Sequence, residues 1–171
     1  MCCVDRLKSQ PKADSFYSCV VVLDKDSRVP HPSDQIKLLI ERNSEEVRRL
    51  HRRIRETFAL RDVSPEKREE WKRACEVFHR RYDELSFPGG YEGAMDRLVA
   101  GDIETMEAAI CFLELRPYFF RSGYMFEALL RKAKHAPLSA EQRARLQFVG
   151  DEFRAWKASK REKKRQDEAD A

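Results

Sequence analysis

Glycine is scarce, with six residues in a chain of 171. A fold made of many strands and tight turns spends more glycine than that, so a β-rich architecture is disfavoured. Long apolar runs are missing too. None approaches the roughly 20 consecutive apolar residues that a membrane-spanning helix needs. The opening MCCVDRLKSQPK has no basic stretch followed by an apolar one, so no secretory signal is read there. No cysteine pair has CxxC spacing. Cys2, Cys3, Cys19, Cys75 and Cys111 are odd in number and irregularly placed, which reads as reduced thiols in a cytoplasmic protein. A phosphate-binding loop is absent as well. FPGGYEG, residues 87–93, lacks the GK[ST] ending and follows no strand, so it reads as a linker between helices.

Charge is abundant. Charged residues make up 37% of the chain and hydrophobic ones 42%, the balance of a helical protein with amphipathic faces. The net charge is a modest +4, but it is unevenly spread. Residues 116–165 hold 14 Lys and Arg against 5 Asp and Glu, whereas residues 1–115 hold 20 against 22. A basic C-terminal third can attract phosphates, anionic lipid or an acidic protein.

The chain divides into three parts: an irregular or extended arm over 1–33, a helical domain over 34–158, and a charged tail over 159–171. Prolines at 11, 30 and 32 oppose helix in the arm, and SCVVVLD at 18–24 is one β-branched run without a partner strand. The first long helix is expected after Ser33, with Ile36, Leu39, Ile40, Val47, Leu50, Ile54 and Phe58 on one face. A second is capped by Ser64 with Pro65 in its first turn, and its stripe is Trp71, Cys75, Phe78, Tyr82 and Leu85. A short helix stops at Gly101. Asp102 caps the next, with Ile103, Met106, Ile110 and Leu113 inward, and Pro117 interrupts it. Ser122 is expected to cap a helix to about residue 135. Ser139 and Gln142 form a capping box for the last, which buries Leu146, Val149, Phe153 and Trp156. Beyond Trp156 the apolar positions cease, so the tail should fray. The expected fold is all-α, with about six helices packed as antiparallel hairpins. No sequence motif repeats at a fixed period.

Three basic features are candidate binding surfaces. The first is the arginine face of the first helix, Arg48, Arg52 and Arg55, beside acids that can absorb part of its charge. The second is LELRPYFFRSGYMFEALLRKAKHAP, residues 113–137. There Arg116, Arg121, Arg131, Lys132 and Lys134 stand among Tyr118, Phe119, Phe120, Tyr124 and Phe126. The successive aromatics are expected to plug a gap between helices, with Tyr118 left partly exposed. The third is the tail run Lys157, Lys160, Arg161, Lys163, Lys164 and Arg165, interrupted by Glu162.

Catalytic and metal sites are weakly indicated. Cys75, His79 and Asp83 stand one turn apart on a single helix, spread over about 12 Å at about 1.5 Å per residue, so they do not converge. Cys75 and His79 have a usable ligand spacing but no second pair. No metal or cofactor is expected. These features point to a non-catalytic interaction or adaptor module whose partner is a protein, acidic in character. A nucleic-acid-binding protein using the same cations on phosphates is the alternative. A small enzyme with a site between helices is more remote. A membrane anchor at Cys2 and Cys3 is disfavoured by Asp5.

Overall fold

The computed structural model describes residues 31–169. The arm 1–30, with its SCVVVLD run, Cys2 and Cys3, lies outside the described residues. The protein is all-α. Six α-helices are described, α1 (Pro32–Leu60), α2 (Pro65–Ser86), α3 (Ala94–Ala100), α4 (Ile103–Leu115), α5 (Ser122–Lys132) and α6 (Ala140–Ala169), and a 3-10 turn, Ala133–His135, follows α5. No described helix is long and apolar enough to cross a membrane.

Local signals set most boundaries. Ser64 accepts from Lys67 N at 3.3 Å with Pro65 at the first helical position. Asp102 Oδ1 accepts from Thr105 N at 2.8 Å. Ser139 and Gln142 exchange two bonds of 3.1 Å as a reciprocal capping box. Gly101 closes α3 with a left-handed φ of 86°. Two boundaries differ from expectation. α1 begins at Pro32, capped by His31, because a proline that is disruptive inside a helix suits its first position. α5 is preceded by Arg121 in a left-handed conformation, and Ser122 is its first residue rather than its cap.

α1 and α2 form an antiparallel hairpin. Arg53 pairs with Glu70, Arg81 with Glu46, and His51 and Phe58 meet Phe78 and Trp71. α4 is the central element. Its stretch from Ala108 to Leu113 is wholly buried, and Phe112 packs against Phe87 and Phe119. In α1 and α4, two stripe residues point outward. Ile103 is 77% exposed because it opens the first turn of α4, before the helix enters the core, and Phe58 is 48% exposed near the end of α1. The FPGGYEG linker is a clamped turn. Phe87 anchors it in the core, and Arg97 donates to the carbonyls of Gly89, Gly90 and Glu92.

Polar groups join three helices. Ser33 Oγ at the start of α1 donates to Glu107 Oε1 of α4 at 2.7 Å. Arg145 of α6 reaches Glu107 at 2.6 Å and grips Glu114 through two bonds, at 2.6 and 2.9 Å. Gln142 donates to Glu107 at 2.9 Å, and Lys37 pairs with Glu114 at 2.8 Å. The tail does not fray as expected, since α6 continues to Ala169. Pairs along the helix, Arg165 with Glu162 and Lys164 with Glu168, support a segment whose side chains are exposed.

Candidate interaction cleft

The connection between α4 and α5 is short and bent at both ends. Arg116 ends α4 with a φ of 48°, and Arg121 precedes α5 with a φ of 65°. They are the two non-glycine residues at positive φ among those described. Between them Phe119 turns into the core. Its N–H donates to Ser122 Oγ at 3.0 Å, and Ser122 N returns a bond of 3.0 Å to its carbonyl. Phe120 lies between the hairpin and this connection, stacked on His51 at 4.8 Å and edge-on to Phe78 and Tyr82. Tyr82 fixes it by donating to the Phe120 carbonyl at 2.8 Å. Burial, reinforced by Arg55, lowers the His51 pKa, so this ring stays neutral in its aromatic setting. Tyr118 points away and is 84% exposed. Phe119 closes the interior and Tyr118 faces out as expected, while Phe120 closes it only in part, with one face packed on the hairpin and 44% of the residue exposed.

The outward side is a cleft of about 560 Å³. α5 contributes Tyr124 and Phe126, α6 contributes Phe153 and Trp156, and the connection contributes Arg116, Tyr118 and Arg121. Phe126 meets Phe153 at 5.0 Å, and Phe153 stacks on Trp156 at 5.7 Å with 14° between planes. Trp156, expected inside, is 44% exposed. It lies beyond Val149, where the core ends, and forms a wall. The Arg116 guanidinium sits over Trp156 at 4.5 Å and over both phenyl rings at 5.2 Å. Lys160 lies over the same indole at 5.1 Å. Among the described residues no carboxylate comes within 4 Å of Arg116, Arg121 or Lys160.

The remaining expected site residues are dispersed. Lys157 backs the cleft, over Phe153 at 4.5 Å and paired with Glu127 at 3.1 Å. Arg161 and Lys163 continue the rim along α6, while Lys164 and Arg165 are tied to neighbouring acids. Arg131, Lys132 and Lys134 stand exposed around the C-terminal end of α5, favourably for the helix dipole and away from the cleft. Arg48, Arg52 and Arg55 are exposed on α1, on a separate face. Glu46 bonds Arg49 and Arg81, and the Arg49 bond above all brings its carboxyl down to about 2.

The inter-helix network is the other polar constellation. His31 Nδ1 lies 2.9 Å from Ser33 Oγ, but the hydroxyl donates to Glu107. Burial pushes the Glu107 carboxyl up, and bonds from Gln142, Arg145 and Ser33 outweigh it, bringing the pKa down to about 2. A carboxylate so satisfied is a poor base for that hydroxyl. Burial raises the adjacent Cys111 thiol to about 11, far from the thiolate a nucleophile needs. This network is built to join helices. Neither Glu107 nor Arg145 was singled out from the sequence. A signal existed, because Glu107 and Glu114 are two carboxylates a heptad apart on a helix that is otherwise apolar from Met106 onward, and burial demands a partner for each. Among the described residues no group of three or more His, Cys, Asp and Glu could hold a metal. Comparison of the chain with protein-family models, curated proteins and solved structures finds no match.

Proposed function

We propose that this chain is a non-catalytic helical interaction module whose protein partner docks at the α4–α5–α6 cleft. One observation carries the reading: Tyr118, Tyr124 and Trp156 are exposed in one cleft with Arg116 and Arg121, which have no acidic partner among the described residues. Tyr, Trp and Arg are the residue types that dominate binding energy at protein interfaces, and exposed aromatics gathered in a concave site offer a partner apolar area and orientation together. The cations along α6 raise the association rate for an acidic partner.

Nucleic acid is the second reading, favoured by the run of Lys160, Arg161 and Lys163 beyond the cleft. One experiment separates the two. The full chain is used as bait beside the double variant Tyr118→Ser/Tyr124→Ser, at about 50 and 200 mM salt. The expected result is a protein retained by the wild type and lost by at least about tenfold in the variant, with modest salt dependence. Retention of nucleic acid that collapses with salt, or of the same proteins by both baits, sinks the docking reading.

A further inference from the structure

We infer that the occupant of the cleft is a short acidic segment of the partner, which sets one apolar or aromatic side chain against the aromatic walls and a carboxylate between Arg116 and Arg121. This rests on the interaction-module reading and adds the chemistry of the partner. The argument begins with the two arginines. At a positive φ, glycine is free of the steric cost that an L side chain bears. The turn itself would therefore be served better by glycine at both positions. Arg116 recovers something by stacking on Trp156 and its neighbours. Arg121 has no side-chain hydrogen bond, ion pair or ring contact among the described residues. Arg121 lines the apolar cleft, and among the described residues its five N–H donors have no acceptor.

Three further features fit an acidic segment with an apolar anchor. The space over Gly123, in the first turn of α5 and in the cleft lining, is open, with nothing within 4 Å of where a side chain would start. The floor is aromatic while the unpaired cations stand at the rim, so an anchor and a carboxylate can be satisfied together. Past Trp156, Lys160 and Lys163 are about one helical turn apart and can meet further acids of an extended segment. A nucleic-acid strand is served less well. Glu162, Asp167 and Glu168 stand among the α6 cations; a strand charged at every phosphate must meet them, whereas a peptide can set neutral residues opposite them.

The test uses the full chain and fluorescence anisotropy with three labelled probes. One is an acidic peptide of about 15 residues with a central Leu-Trp pair; the second has that pair replaced by Ser-Ser; the third is an oligothymidylate of similar length. The anchored peptide is expected to bind, and the Ser-Ser peptide to bind at least about tenfold more weakly. Arg121→Gly should weaken the anchored peptide by about tenfold while its Tm is unchanged or higher, and Arg121→Glu should abolish binding. No binding of the anchored peptide, equal binding of both peptides, or indifference to Arg121 overturns the inference. Tighter binding of the oligothymidylate overturns it in favour of nucleic acid. If the bait experiment retains a protein through Tyr118 and Tyr124 while the anchored peptide fails, the acidic chemistry is wrong and the module reading stands.

Discussion

Replacing Arg145 by methionine is expected to destabilise the protein by about 3 kcal/mol, because Glu107 then remains largely buried with no cation and Glu114 with Lys37 alone. The side chains of Arg145, Glu107 and Glu114 are each only about a fifth exposed, at 20%, 18% and 22%. Removing one partner of such a group costs more than the group contributes in net terms, since the charges left behind have lost their solvent as well. The bond to Glu114, with that to Glu107 behind it, holds Arg145 firmly protonated. For a domain of this size the change corresponds to a fall of about 6–12 °C in Tm. The second half of the prediction isolates the cause. Adding Glu107→Gln and Glu114→Gln to Arg145→Met should recover much of the loss, because neutral amides no longer need the guanidinium. If the triple variant is as unstable as the single one, packing of the arginine stem is the source.

The same network gives the protein a pH signature. Glu107 is held at about 2 in the folded chain, below its ordinary 4.5. A carboxyl with a lowered folded pKa binds fewer protons folded than unfolded, so its contribution is complete above about 4.5 and is lost as pH falls toward 2. Urea midpoints measured from pH 6 to 2.5 should therefore decline steeply for the wild type. In Arg145→Met the decline should be shallower, since Glu107 keeps only its bonds from Gln142 and Ser33. Glu46, lowered in the same way on the α1–α2 surface, is common to both proteins and cancels in the comparison.

What could be read from the sequence was what a few neighbouring residues decide. The Ser64 cap with Pro65, the Ser139–Gln142 box, the stop at Gly101 and the break at Pro117 are all settled within four residues or so. Stripe periodicity located the buried faces of α1, α2 and α4, and it erred at helix ends. Ile103 at the start of α4 and Phe58 near the end of α1 satisfy the spacing but lie outside the core, and Phe58 is only partly covered, by Trp71 and Arg61. α6 continues past its last apolar residue because charge pairs along it support a helix that packs on nothing. The cleft was partly legible: Arg116, Tyr118 and Arg121 lay within one stretch. Their meeting with Trp156 was not, because it depends on how α6 lies against α5. The Ser33–Glu107–Arg145 junction joins residues 74 and 38 positions apart, a relation no local pattern carries.

Phe119→Ala is expected to cost about 3 kcal/mol or more, whereas Tyr118→Ala, one residue earlier, should stay within about 0.5 kcal/mol of wild type. The contrast follows from the turn between α4 and α5. Phe119 is 7% exposed and meets Phe112 edge-on at 6.2 Å, so its removal leaves a cavity beside the fully buried centre of α4. That centre cannot relax easily, since Phe112, Ile110 and Leu113 are themselves enclosed. Phe120→Ala should fall between, at about 1–2 kcal/mol, because half its ring is wet and the other half packs on His51, Phe78 and Tyr82. Thermal melts of the three variants, with partner capture by Tyr118→Ala, divide the stretch into its two uses. Loss of stability at Phe119 with intact capture by folded Tyr118→Ala would leave the aromatics as core alone. Loss of stability at Phe119 together with loss of capture at Tyr118 would show two successive residues working on opposite sides of one turn, the inner one holding the helices that build the cleft and the outer one serving what enters it.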